Sequence, residues 1–398
     1  MDEISEHAEE VVEELDSLGH LTGVEMEDDP DVSEADQLHD AIQAPFDPEL
    51  IDVVTRNTTV DLLLSRVRTR RVDLQPDFQR QAGIWKLQAK SRLIESLLLR
   101  IPLPTFYAAE TDDEVWAMVD GIQRLTTIVE FIEPQAIGKE PLRLRNLEYL
   151  GTEYDQATFD ELPERLQTRL RETELIVHLI RRGTPEEVKF NIFARINTGG
   201  LPLSRQELRH ALIPGDGRTI LREWADSETF RSATGYGVRS DRMADREMVL
   251  RFLAFRLTDP HAYADDDFDH FLRISMGALN KLPKKEVDEL WEQFGKAMWA
   301  AYEIFGTYAF RKVERKGGSR RLPINKALFE AVSVNLAAMT DDEIATLTRR
   351  RRRVEKMFLD LMSDVDFQAA ISQGTGDPAK VRLRFDAIRD IFTAVSGA

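Results

Sequence analysis

The sequence predicts an α+β protein in which an amino-terminal α/β domain is followed by a mostly α-helical domain. Three observations carry this. Between about residues 53 and 201 the apolar residues recur now at strand spacing, now at helix spacing; after Glu207 the strand signals nearly vanish; and residues 1–50 hold 18 acidic residues and no Lys or Arg. The expected organisation is an acidic, largely disordered tail over 1–52, an α/β domain over 53–205 and a helical domain over 206–398.

Taken in order, residues 4–18 place Ile4, Ala8, Val11, Val12, Leu15 and Leu18 at helical spacing, which predicts a short acidic amphipathic helix stopped by Gly19. Residues 59–67 read as a helix, 72–74 as a short strand, and 86–100 as an amphipathic helix ended by Pro102 and Pro104. Two strands are expected over 105–109 and 114–119, the second turning at Asp120-Gly121 into a helix striped by Leu125, Ile128, Val129 and Ile132. Residues 175–180 add another strand; Thr184 with Glu187, and Ser204 with Glu207, read as capping boxes opening helices. Helices are then expected over 207–213, 219–225, 244–257, 266–279, 285–305, 323–338, 341–363 and 378–395.

Composition narrows the function classes. The 398 residues carry 53 Lys and Arg against 71 Asp and Glu, a net charge of −18, yet outside the first 50 residues the acids and bases balance at 53 each. The low pI therefore says little about what the body binds. The absence of Cys excludes disulfides, Cys-ligated zinc, iron–sulfur clusters and thiol nucleophiles. Without a long apolar run or a basic, signal-like amino terminus, no membrane association is expected and a cytoplasmic location is.

Three constellations could carry chemistry. Asp120-Gly121-Ile122-Gln123-Arg124 sits where a strand becomes a helix, and a helix amino terminus beside a Gly and an Arg can cradle phosphate. On spacing alone a capping Asp120 and a surface Arg124 explain the turn better. Pro76-Asp77-Phe78-Gln79-Arg80 with Trp85 could bind phosphate and stack a base, or its aromatics could fill the core. Arg195 and Asn197 precede Thr198-Gly199-Gly200, which is first of all a helix carboxy-terminal cap.

Read together, the constellations resemble one family. The segment 58–131 resembles the amino-terminal domain of GmrSD-type modification-dependent restriction enzymes, a family similar to the ParB/sulfiredoxin fold. Its boxes are matched in order by Pro76 to Trp85, by Ile94-Glu95-Ser96 with Pro102-Leu103-Pro104, by Asp120 to Thr126 and by Phe193 to Leu208. The resemblance extends over nearly everything after residue 55. It implies a ParB/sulfiredoxin-like amino-terminal domain that binds and hydrolyses NTP, coupled to DNA recognition or cleavage in defence against foreign DNA. Carried over by position, Asp120, Gln123 and Arg124 would be catalytic, with Asp120 also holding Mg²⁺, and Gln79, Arg80, Gly121, Arg195 and Asn197 would line the nucleotide. There is one departure: Ile122 stands where the family has its first Gln, which would weaken hydrolysis if that amide positions a water or a phosphate.

Many relatives append an HNH nuclease, which needs His; the last 128 residues of this chain contain none, so no such site is expected there. His261 and His270 lie among Asp265, Asp266, Asp267 and Asp269, where a solvated acidic loop is a better reading than a metal site. DNA contacts are sought in the basic run Arg311, Lys312, Arg315, Lys316, Arg320 and Arg321, which includes Gly317-Gly318, and in the five consecutive Arg from Arg349 to Arg353. The expectation is an NTP-hydrolysing sensor or effector in a restriction system, with DNA, NTP and a partner nuclease or modification protein as partners and self-association left open. The alternatives are a non-hydrolysing DNA-binding adaptor of the same fold and, ranked last, a nickase.

Overall fold

The computed structural model describes residues 11–15, 21–27, 50–74, 85–111, 114–196, 204–240, 242–265, 267–313 and 321–397, the side chains of 194–196 excepted. They form two units, one made of residues 1–37, 204–209 and 213–398 and the other of 38–203 and 210–212.

The chain starts with two short strands, β1 (Glu13–Leu15) and β2 (Leu21–Glu25), paired antiparallel. The helix expected over 4–18 is not what residues 13–15 adopt. Apolar spacing there suits either structure, and a long-range partner decides: Val24 is fully buried, and β2 exchanges hydrogen bonds with Ile324, whose N–H donates to the Gly23 carbonyl at 2.9 Å. These strands belong to the same unit as the carboxy-terminal helices.

The second unit is built on a mixed sheet. Its elements are β3 (Val53–Thr59), α1 (Val60–Arg68), β4 (Val72–Asp73), α2 (Leu87–Leu98), β5 (Phe106–Glu110), β6 (Trp116–Asp120), α3 (Ile122–Ile132), α4 (Gly151–Tyr154), α5 (Glu164–Glu172), β7 (Glu174–Ile180) and α6 (Glu186–Ile196). The strand order is β3-β7-β5-β6-β4, with β3/β7 and β5/β6 antiparallel and β7/β5 and β6/β4 parallel. In β7 the alternation is clean: Leu175, Val177 and Leu179 are buried while Glu174 and Ile176 face out. The edge strand β3 has no such pattern, since all but Thr58 of Val-Val-Thr-Arg-Asn-Thr-Thr is at least partly exposed, so no strand is legible there.

The Ile94-Glu95-Ser96 box has a structural explanation. Glu95 is buried, and its carboxylate accepts from the backbone N–H groups of Glu148, Tyr149 and Leu150 at 2.9, 2.7 and 2.8 Å, where α4 begins. One turn earlier, Ser91 Oγ accepts from Arg145 N at 2.9 Å. A single face of α2 thereby holds the 145–150 segment. Burial pushes the Glu95 carboxyl upward, but the three amide donors outweigh it and hold it below the ordinary carboxylate range. Its stabilising contribution is thus fully present above the unfolded-state value, near 4.5, and is lost as the pH falls through the lower native value. Glu95→Gln is expected to cost about 2 kcal/mol at pH 7 and to flatten the acid limb of the stability profile, measured by urea unfolding between neutral and acid pH.

The remaining elements are helical: α7 (Arg205–Leu212), α8 (Asp216–Ala225), α9 (Glu228–Ala233), α10 (Ala244–Leu257), α11 (Phe268–Leu279), α12 (Lys284–Phe305), α13 (Lys326–Ala338), α14 (Asp341–Arg349), α15 (Arg351–Leu361), α16 (Val365–Ser372) and α17 (Pro378–Ser396). The box at Ser204 forms as expected, with reciprocal bonds to Glu207. The single helix expected over 341–363 breaks at Arg350. Nearly every residue of α10 and of α13 is buried, so these two helices form the core of their unit. Polar residues on such helices need partners in the core. Arg251 pairs with Glu247 at 2.9 Å, and Arg384 of α17 pairs with Glu330, both of the latter fully buried.

Candidate functional site

Strand β6 ends at Asp120, Gly121 turns the chain, and α3 begins at Ile122. Gly121 has a left-handed φ of 88°, and a Cβ there would lie 2.4 Å from a ring carbon of Phe106 at the start of β5. Only glycine satisfies both conditions. Among the described residues no side chain caps this end of α3, whose amino terminus is a centre of positive potential.

Around this turn Arg124 acts as a brace. Its Nη1 donates to the Pro104 carbonyl, while Nη2 donates to the Thr105 carbonyl and to Asp120 Oδ2, both at 3.0 Å. The guanidinium also lies 4.6 Å from the centre of the Phe106 ring. Burial lowers the Arg124 pKa against the attraction of Asp120. Both terminal nitrogens are thus engaged within the unit, and the Pro102-Leu103-Pro104 turn, the end of β6 and the first turn of α3 are locked together. Asp120 itself is about half exposed, with a side-chain exposure of 41%, and one of its carboxylate oxygens is held by Arg124. Ile122 is buried in the core, and Gln123 is partly exposed on the first turn.

The other expected contacts are distributed differently. Gln79, Arg80 and Asn197 lie outside the described residues, as do Arg315, Lys316 and Arg320; Arg195 is on α6, but its side chain is not described. The structure therefore brings together Asp120, Gly121, Gln123 and Arg124. It adds Phe106 and the Pro104 and Thr105 carbonyls, which sequence reasoning missed; the one hint was an aromatic two residues after the Pro-Leu-Pro box.

In the helical unit, two of the six expected DNA cations are taken into the interior. Arg311 is buried, donates to the carbonyls of Leu322 and of Thr234, the latter at 3.0 Å, and burial beside Arg321 pushes its pKa down to about 10. Lys312 donates to Glu25 and, at 2.7 Å, to Ser372 Oγ. Arg321 is exposed, although its Nη2 reaches the Thr234 and Gly235 carbonyls at 2.8 and 3.0 Å. Arg349 to Arg353 all lie on the surface. His261 and His270 make pairs with Asp386 and Asp265 at 2.8 and 2.6 Å, and among the described residues no group of three or more His, Asp or Glu could hold a metal. Among the described residues no helix is long and apolar enough to cross a membrane.

Residues 61–214 match the family model described as GmrSD restriction endonuclease, N-terminal domain. No curated protein and no solved structure matches the chain. The match spans Asp120 to Arg124, the α2 box with Glu95 and the capping box at Ser204, so the braced turn lies inside the matched domain. Over residues 61–214, which include the braced turn, the chain is similar to the N-terminal domain of GmrSD restriction endonucleases.

Proposed function

We propose that the sheet-containing unit binds a nucleoside triphosphate at the Asp120-Gly121 turn and hydrolyses it, within a restriction system in which NTP occupancy is coupled to DNA recognition or to a partner nuclease. The family match supports the restriction role. The observation that carries the nucleotide reading is the braced turn: a half-exposed carboxylate at the end of β6, fixed by Arg124, beside a helix amino terminus that no side chain caps among the described residues. A single half-exposed carboxylate suits Mg²⁺, which takes most of its other ligands from water and substrate phosphates. The bound ion would supply charge neutralisation at the phosphates. Asp120 would hold it, the α3 amino terminus would face the phosphate oxygens, and Gln123 would orient the attacking water. Arg124 serves as a positioning residue, because its donors keep Asp120 and the 104–105 carbonyls in place.

Asp120→Asn keeps the acceptor for Arg124 and removes the charge. The expected result is a loss of phosphate release of about 10²-fold, with nucleotide binding in the absence of metal little changed. Wild-type turnover in this variant would overturn the reading.

A second reading, a non-hydrolysing DNA-binding adaptor, is favoured by one observation: Ile122 is buried, so its position offers no amide to a ligand. Phosphate-release assays with each of the four NTPs, with and without DNA, separate the two. Binding without release under every condition supports the adaptor.

A further inference from the structure

Residues 1–50 carry 18 acidic side chains and no Lys or Arg, and three of those acids are withdrawn from water in the helical unit. Glu14 accepts from Lys326 Nζ at 2.6 Å; Glu25 accepts from Lys312 Nζ and, at 3.2 Å, from Asn325 Nδ2; Glu27 accepts from Arg251 Nη1 at 2.9 Å and from Thr375 Oγ1 at 2.8 Å. The cations are deeply placed, with side-chain exposures of 12% for Lys312, 7% for Lys326 and 3% for Arg251.

A buried ammonium or guanidinium requires an anion. The helices themselves provide only part of it. Lys326 has Glu247 at 3.4 Å, and Arg251 has Glu247 and Glu330 at 2.9 and 3.5 Å. Lys312 has, apart from Glu25, the hydroxyl of Ser372. With the hairpin withdrawn, Lys312 would face no carboxylate among the described residues, and the surface beneath it would hold an excess of positive charge. Ammonium, guanidinium, amide and hydroxyl donors converging on oxyanions form the donor set with which proteins receive phosphate oxygens.

Among the described residues β1 pairs with β2 alone, and the backbone attachment of β2 to the rest of the unit runs through Ile324 and Arg239. Burial raises the Glu14 and Glu25 carboxyls above their ordinary range despite their Lys partners, whereas at Glu27 the attraction of Arg251 and Lys326 outweighs burial and lowers it.

We propose that the cationic surface of Lys312, Lys326 and Arg251 is a binding site for the phosphodiester backbone of nucleic acid, covered in cis by the acidic β1–β2 hairpin, whose Glu14, Glu25 and Glu27 stand where phosphate oxygens bind. Nucleic acid reaches Lys312, Lys326 and Arg251 when the hairpin leaves, so the amino-terminal segment sets a threshold that only a polyanion overcomes. The proposal concerns the helical unit and stands independently of nucleotide hydrolysis at Asp120.

The test uses the full chain and a fluorescein-labelled DNA duplex of about 30 base pairs, followed by anisotropy over a salt series. The combined variant Glu14→Gln, Glu25→Gln, Glu27→Gln is expected to bind at least about tenfold more tightly than wild type at low salt, with a steeper salt dependence. Adding Lys312→Ala and Lys326→Ala is expected to remove that gain. Introducing Asp120→Asn into the carboxamide variant is expected to leave the gain intact, so failure here and failure of the nucleotide reading are told apart. Unchanged affinity in a folded carboxamide variant overturns the proposal. Should that variant fail to fold, hydrogen exchange on the wild-type protein decides: saturating duplex is expected to deprotect the amides of Gly23, Val24 and Glu25, and unchanged protection overturns the displacement.

Discussion

Gly121→Ala is expected to destabilise the sheet-containing unit by about 3 kcal/mol or more and to abolish nucleotide binding there. Two costs add. A left-handed φ of 88° is unfavourable for any residue with a Cβ, and that Cβ would lie 2.4 Å from the Phe106 ring. The ring cannot retreat easily, since Phe106 is fully buried and carries the Arg124 guanidinium on its face. Relief would have to come from the turn itself, moving Asp120 and the first turn of α3. Gly138 provides the control: its φ is 64°, but nothing lies within 4 Å of where its Cβ would be. Gly138→Ala should therefore cost only about 1–2 kcal/mol and leave binding intact. Chemical unfolding and nucleotide titration of the two variants measure the difference, and equal effects would show that backbone strain alone governs the turn.

Glu330→Ala is expected to cost about 3–5 kcal/mol, more than truncating an ordinary buried side chain of its size in the same helix. Glu330 and Arg384 are both fully buried, and Glu330 also lies 3.5 Å from Arg251. Without the carboxylate, Arg384 keeps among the described residues a single hydrogen bond, to the Ala370 carbonyl at 3.3 Å. The uncompensated guanidinium makes up most of the loss. Replacing both partners with apolar residues, Glu330→Leu with Arg384→Met, is therefore expected to recover more than half of it, as read by urea unfolding. A double variant as unstable as Glu330→Ala would contradict this account.

Much of the architecture was legible because it rests on local chemistry. The capping box at Ser204 needs only a hydroxyl and a carboxylate three residues apart, and it forms. The α10 helix occupies residues 244–257 as its apolar density indicates, and the passage from β6 through Asp120-Gly121 into α3 follows from a β-rich run meeting a helical stripe. Elements defined by distant partners were not legible. β3 is held by its seven-residue ladder with β7, not by its own pattern. The strand at Glu13–Leu15 depends on residues 21–25, and β2 in turn pairs with Ile324. The break at Arg350 falls where the polar run of consecutive Arg offers no apolar stripe to mark it.

The candidate site divides in the same way. From the sequence came the residue types at the turn, the glycine between strand and helix, and the family resemblance that residues 61–214 bear out. Sequence could not say which charges are spent. Arg124 reads as a phosphate ligand until its guanidinium is seen bonded to Pro104, Thr105 and Asp120. Glu95 reads as a helix-face residue until three backbone amides converge on it. Arg311 and Lys312 read as free cations until one is buried against carbonyls and the other meets Glu25, 287 residues away. The sequence by itself determined the α+β division, the glycine turn and the placing of all the net charge in the first 50 residues. Only the tertiary structure decided which of those charges face water, because the free energy of an ionic group depends on its burial and on its partner across the fold, and neither is a local property of the chain.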